Sequence, residues 1–407
     1  MPLKRLDKAL AEELTGLQNE GRAKPPERII TGYLPPTGKH GPRYTLKGEN
    51  KQFLRMNSNS YLSLSNHPQL IAAADAATHA CGVGPGAVRF IDGTFSYHIE
   101  LEKRIARFLD KPAAKIFNSA YTSNCGLALA IGSKTTHWIG DRLNHNSIIR
   151  AMRIAGIPSE NKSIYDHNDM DGLRKCLDSV DKDIDRVVVI FDGIFSMRGD
   201  YAPIDKIYAI TSEYDQKFRD GVITVVDDSH GIGAYGATGR GTAEFSGGVP
   251  DIIVGTFGKS FGVNGGFIAA SDTVIETVRQ KADTYIYTNP LSVADCAAAT
   301  KALEICDSQE GMMLLENLKI RTKQFRDGLE KLGLESIPGP HPVVPVMVRD
   351  TAKTQALVKH LFDNGVLVVG LTFPVVPRGD ESMRFQINAA HTESDIDYVL
   401  GVLGKVL

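Results

Sequence analysis

Residues 225–241, VVDDSHGIGAYGATGRG, and residues 251–262, DIIVGTFGKSFG, decide how the chain is read. They set an acid at Asp227, an imidazole at His230 and an amine at Lys259, each shortly after an apolar run. Val222 to Val226 is β-branched throughout and Asp251-Ile-Ile-Val254 nearly so, which predicts two strands ending on these groups. In an open α/β sheet, ligands gather beyond the carboxyl ends of strands, so both arms point into one crevice. An aspartate after a strand is commonly only a helix cap, and a lysine in a glycine-rich loop only solvated. Their conjunction reverses that balance.

A lysine amine can hold an aldehyde as a Schiff base. A buried carboxylate can keep a pyridine nitrogen protonated, so that the ring accepts electrons from a carbanion. Asp227 with Lys259 therefore implies an enzyme that uses pyridoxal 5′-phosphate. Its phosphate is expected at Ser119-Ala120-Tyr121 and the residues up to Asn124, which follow the strand-like Lys115-Ile-Phe117 and precede an apolar helix, CGLALAIG. Free amides and the dipole at a helix start bind anions.

Working outward, strand-like runs (Lys115 to Phe117, His137 to Ile139, Arg186 to Phe191, Val222 to Val226, Asp251 to Val254, Gly266 to Ala269) alternate with helical segments such as Ser147 to Ile154 and Ala202 to Tyr214. This alternation predicts an α/β fold with a mostly parallel central sheet over residues 51–290. Residues 1–50 read as an amphipathic helix and a Pro/Gly-rich arm. Residues 291–407 read as a smaller α+β domain with strands at Val343 to Val348, Gly365 to Val369 and Arg384 to Ile387.

Composition narrows the function classes. The chain has 407 residues, 42% hydrophobic and 23% charged, enough for a large core. A formal charge of −2 gives no basic footprint for nucleic acid. No apolar run approaches a membrane span, and the acidic residues of the N-terminal segment are unlike a targeting peptide, so a cytoplasmic location is expected. The five cysteines form no CxxC pair and the eleven histidines no ligand spacing. No metal is expected.

Beyond this general chemistry, NSNSYLSLSNHP, GAVRFIDGTFSYHIELEKRIARFL, DRLNHNSIIRAMRIA, NDMDGLRKCL, FDGIFSMRGDYAPI, DDSHGIGAYGATGRG, GTFGKSFG, FPVVPRG and MRFQINAAHT occur in this order along the chain. With them the chain resembles the α-oxoamine synthases, fold-type I pyridoxal phosphate transferases that condense an amino acid with an acyl-CoA. FPVVPRG and QINAAHT favour the glycine C-acetyltransferase branch of that family. GTFGKSFGVNGGF is also similar to serine palmitoyltransferases.

The resemblance implies residue roles. Lys259 would form the Schiff base and later act as base on the amino acid Cα, with Asp227 on the pyridine nitrogen. His230 and Ser196 would contact the phenolic oxygen, and His145 would lie over the ring. Thr256, and Thr288 across a homodimer interface, would add phosphate contacts, each active site being completed by the partner chain. Arg384 would grip the substrate carboxylate in the bidentate manner of a guanidinium, and Asn59 would lie near the same substrate.

The implied reaction joins glycine to acetyl-CoA or another short acyl-CoA, giving a 2-amino-3-oxo acid and CoA. The alternative is a synthase that uses alanine or serine with a longer acyl-CoA and loses CO2. An aminotransferase, or a binding protein that keeps the cofactor, shares Asp227 and Lys259 but releases no CoA.

Overall fold

The computed structural model describes residues 2–406. Its chain forms two compact units, one from the N-terminal segment up to Ser58 together with Ile320 onward, the other from Asn59–Lys319. The first begins with the helix Pro2–Asn19, whose leucines Leu3, Leu6, Leu10 and Leu14 stay exposed. The Pro/Gly-rich arm then folds into β1 (Ile30–Leu34), β2 (Arg43–Leu46) and β3 (Gln52–Arg55), an antiparallel ladder with Tyr33 opposite Tyr44 and Tyr44 opposite Phe53.

In the Asn59–Lys319 unit the strands are β4 (Ala113–Phe117), β5 (Thr136–Asp141), β6 (Lys162–Tyr165), β7 (Arg186–Asp192), β8 (Val222–Asp227), β9 (Ile252–Thr256) and β10 (Gly266–Ala270). Among the described residues they form a seven-stranded sheet in the order β4-β10-β9-β8-β7-β5-β6. Strands β9, β8, β7, β5 and β6 run parallel, and β10 runs antiparallel between β4 and β9. The sheet is thus the mixed, mainly parallel one the alternation predicts. The six strands read from the sequence all form, whereas β6 lay outside that reading. It is an edge strand of sequence KSIY, with only Tyr165 buried, and so offers no continuous apolar run.

Helices on its faces bury the sheet, which is why β7 reads RVVVIFD with every residue after Arg186 buried. Each such valine or isoleucine contributes about 1.5–3 kcal/mol by leaving water. The helix Ala120–Ile131 is apolar on nearly all sides and packs into the same core as Val188, Ile190, Val225, Val254 and Ile268. Its start is drawn against the sheet by Gly266: a Cβ there would lie 2.3 Å from the Ala120 nitrogen. Cys125, Cys296 and Cys306 are buried and, like Cys81 and Cys176, free thiols. Burial pushes the Cys306 thiol up to about 12, which leaves it inert.

The remaining strands are β11 (Val343–Met347), β12 (Val366–Leu367), β13 (Val369–Leu371) and β14 (Ser382–Gln386). Strand β12 pairs in parallel with β3, while β13 and β11 flank β14 in a separate sheet. The run Gly365 to Val369, read as one strand, is therefore two: its backbone leaves one ladder after Leu367 and enters another at Val369. Among the described residues no helix is long and apolar enough to cross a membrane.

Candidate active site

Asp227 ends β8 beneath the sheet's carboxyl edge, 5% exposed. Three donors converge on its carboxylate. Asn124 Nδ2 reaches Oδ2 at 2.7 Å; the Ser229 amide and hydroxyl reach Oδ1 at 3.1 and 2.5 Å. Such a set stabilises the anion despite burial. The second hydrogen of Asn124 Nδ2 goes to Ser147 Oγ at 2.9 Å, so the amide orientation is fixed by both partners.

His145 caps the helix Asn146–Ile154 that follows β5. Ser147 Oγ, already accepting from Asn124, lies 2.7 Å from His145 Nδ1, and the Ser147 amide donates to the same nitrogen at 3.3 Å. Nδ1 is thus an acceptor, and the imidazole is neutral with its proton on Nε2. Desolvation by the surrounding protein lowers its pKa, Lys259 adds to the lowering, and Asp227 opposes it. Lys259 and Asp227 therefore act on one imidazole, which brings together the two arms of the opening motif.

The turns after β8 and β9 supply the remaining groups. His230 Nδ1 lies 2.8 Å from the Tyr61 hydroxyl, which is 3.3 Å from Asn59 Oδ1. Asn59, Tyr61 and His230 thus form one polar chain. Thr256, the last residue of β9, donates its hydroxyl to Gly265 O at 2.9 Å and accepts from the Gly258 amide at 3.0 Å. These bonds shape the turn that carries Lys259, whose carbonyl accepts from the Gly262 amide.

The helix read from the sequence as CGLALAIG begins earlier, at Ala120, so Ser119 is its cap and Ala120 and Tyr121 are its first residues. Ser119 Oγ accepts from the Thr122 amide at 3.1 Å, and Thr122 Oγ1 accepts from the Ser119 amide at 3.1 Å. Thr288 follows the short helix Asp283–Ile286 and donates its hydroxyl to Thr284 O at 2.7 Å. Its neighbour Asn289 accepts from Asn118 at 2.7 Å, which ties that segment to the strand end before Ser119. Ser196 is half-buried in the turn after β7. Arg384 is the middle residue of β14, in the unit that contains the C-terminus.

Ser147, Ser229, Tyr61 and Asp192, which bond to His145, Asp227, His230 and the His145 amide, were not singled out by sequence, and Asn124, the end of the expected phosphate segment, bonds to Asp227 instead. Ser229 and Asn124 lay within quoted segments, but a short polar residue beside an acid has no periodic signature. Asp192 ends β7 in register with Asp227 on β8, is 6% exposed, and accepts the His145 amide at Oδ2, 2.7 Å away. Its carboxyl is held well above the usual range, first by burial and then by Asp227, against the His145 amide and Lys259.

A buried, donor-rich carboxylate, a neutral imidazole on which that acid and Lys259 both act, and a helix start drawn in by Gly266 fit the pyridine nitrogen, ring and phosphate of pyridoxal phosphate, with Lys259 as the amine for its aldehyde. A family model described as aminotransferase class I and II matches residues 51–403. The chain belongs to that family. It is 35% identical to the 8-amino-7-oxononanoate synthase of Geobacter metallireducens, over 98% of each chain. With the enzyme of the same name from Thermosipho melanesiensis it is 36% identical, over 88% of this chain and 89% of that one. The solved serine palmitoyltransferase of Sphingomonas wittichii superposes with a TM-score of 0.87 at 25% identity, covering 99% of this chain and 97% of the other. Within the wider family these relatives define a fold-type I, pyridoxal phosphate-dependent acyltransferase of the α-oxoamine synthase group.

Proposed function

We propose that the enzyme joins a small amino acid, alanine first, to an acyl-CoA longer than acetyl-CoA and releases CoA and CO2. The observation that carries this choice is the similarity to 8-amino-7-oxononanoate synthases, 35% identical over 98% of the chain in one case and 36% over 88% in another. The product in that name ends in a methyl-bearing amino carbon, which is alanine without its carboxyl group, joined through a ketone to a chain that itself ends in a carboxylate. Glycine with acetyl-CoA, the branch favoured by FPVVPRG and QINAAHT, has less support from these relatives. Serine is the second candidate, from the serine palmitoyltransferase likeness.

Bound pyridoxal phosphate supplies an electron sink that makes the amino acid Cα acidic. Asp227, with donors from Asn124 and Ser229, would hold a proton on the pyridine nitrogen. Lys259 Nζ would anchor the cofactor and, as a neutral amine, would take the Cα proton. His145 would lie against the ring with a neutral imidazole; His230 and Ser196 would orient the phenolic oxygen. Ser119, Ala120, Tyr121 and Thr256 would hold the phosphate. Arg384 would receive the amino acid carboxylate, and Asn59 would serve the same substrate. In balance, the Cα–H bond breaks, a C–C bond forms at the thioester carbonyl, the C–S bond breaks with CoA leaving as the thiol, and loss of CO2 is followed by protonation of the carbon.

The working form is proposed to be a homodimer. Phe90 and Tyr287, 62% and 71% exposed, share one surface cavity of about 590 Å³ with Ile99, beside Thr288. Apolar exposure of this kind favours burial by a second copy.

CoA release followed with a thiol reagent, over a matrix of glycine, alanine and serine against short, long and carboxylate-ended acyl-CoAs, tests the reading. Alanine with a longer acyl-CoA should exceed glycine with acetyl-CoA in kcat/KM by about tenfold or more, the equivalent of about 1.4 kcal/mol. A preference for glycine and acetyl-CoA would restore the other branch. Amino-group exchange with a keto acid and no CoA release would refute both.

A further inference from the structure

Two carboxyls stand side by side where the cofactor needs one. Asp192 and Asp227 form the last registered pair of the parallel strands β7 and β8, so their side chains leave the same face of the sheet, and both are buried. Like charges so placed cannot both be carried cheaply, which favours a proton on one of them. The hydrogen bonds decide which member holds it. Asp227 receives three donors, from Asn124 and Ser229. Among the described residues Asp192 receives one donor, the His145 amide on Oδ2, which leaves Oδ1 to carry the proton.

We propose that Asp192 is a proton-bearing positioning residue. Uncharged, it fixes the loop that carries His145 and leaves Asp227 as the one anion of the pair. Its frame is rigid: the Asp192 amide donates to Asn144 Oδ1 at 3.1 Å, and Asn144 Nδ2 donates to Ile190 O at 2.8 Å. Asn144, Asp192 and the His145 amide thus close a ring of bonds between the ends of β5 and β7. The ionisable groups that act on Asp192 are Asp227 and Asp141, which favour the proton, and Lys259, which opposes it. Burial outweighs Lys259 in the same direction as the acids. Asp141 is itself matched by His167, whose Nδ1 lies 3.1 Å from Oδ1, so its anion does not compete for this proton.

The inference rests on Asp227 and His145 serving the cofactor, and its test separates the two. Infrared difference spectra of the apoprotein, Asp192→Asn against wild type at neutral pH, need no cofactor. The wild type should show the C=O band of a protonated carboxylic acid that Asp192→Asn lacks. Asn keeps a neutral acceptor for the His145 amide, so the variant should bind pyridoxal phosphate within about threefold of wild type and keep its visible band. Asp192→Ala loses one hydrogen bond and the loop it fixes, and should bind about fivefold or more weakly, with a shifted pH titration of the visible band.

A missing acid band, an Asn variant as impaired as Ala or unable to fold, or an Ala variant equal to wild type would each overturn the proposal. If Ala fails to fold, the infrared band and the Asn variant still decide it. Loss of cofactor chemistry at Asp227 or Lys259 with the acid band in place would fault the site reading and leave the protonation of Asp192 standing.

Discussion

At the residue scale, hydrogen-bond donors rather than bare charges set what each acid does. Asp227 is surrounded by donors; the neighbouring Asp228 is pushed up to about 6 by burial, although Thr242 donates to it through its amide and hydroxyl. Asn124→Ala removes a bond to an ionised carboxylate, worth about 1.5–3 kcal/mol. Pyridoxal phosphate affinity, read from the visible band, should fall by about tenfold or more. Unchanged affinity would mean that Asp227 does not need that donor. His167 gives a pH-dependent case. Burial pulls its imidazole down, but hydrogen bonds to Asp141 and Asp200, with their charge, outweigh this and raise it to about 9. Arg198 also donates to Asp200, and Phe195 packs edge-on to the ring at 4.4 Å. A raised folded-state value means stability that is full below the unfolded value near 6.5 and is lost as pH rises through about 9. His167→Gln should therefore cost about 3 kcal/mol in urea unfolding near pH 6, and much less above pH 9. An equal loss at both would contradict the ion pair.

At the scale of elements, strand ends and helix starts place the chemistry. The β-branched runs ending at Asp227 and near Lys259 were legible because buried parallel strands need continuous apolar stretches, and the groups that follow them stand out. The segment after β4 was legible as lying ahead of a helix, but the helix starts at Ala120 and not at Cys125, because its polar first turn, AYTSN, hides it from an apolar pattern. Asp192 and Ser147 were not, since their meaning comes from register between strands and from a neighbour helix, which spacing along one chain does not encode. The split of Gly365 to Val369 was hidden likewise, because both halves are apolar and only their partners differ. Gly266→Ala tests the close approach of β10 to the helix start. A Cβ 2.3 Å from backbone must displace it, at about 1–3 kcal/mol or more. Thermal unfolding should fall by several degrees, and phosphate-dependent cofactor retention should weaken with it. A variant as stable and as tightly loaded as wild type would refute this role.

At the scale of the whole molecule, the N-terminal arm belongs to the same unit as the C-terminal helix Glu393–Leu403. Arg43 meets Asp395 at 2.5 Å, and the Gly41 amide donates to the other oxygen at 2.9 Å, with the Asp395 side chain fully buried. Breaking such a pair from one side leaves an uncompensated charge. Asp395→Ala should cost about 2 kcal/mol even if Arg43 finds solvent, and up to about 5 if it does not. Denaturant unfolding measures it, and a loss within about 0.5 kcal/mol would contradict the fastening. No local pattern in the sequence joined residue 43 to residue 395. The wider claim is that Lys259, with the buried Asp227, serves as the cofactor lysine of this pyridoxal phosphate acyltransferase. Borohydride reduction of the loaded protein, followed by peptide mapping, tests it most directly: the visible band should vanish and the cofactor remain fixed to Lys259. Label on any other lysine, or none retained, would contradict the account.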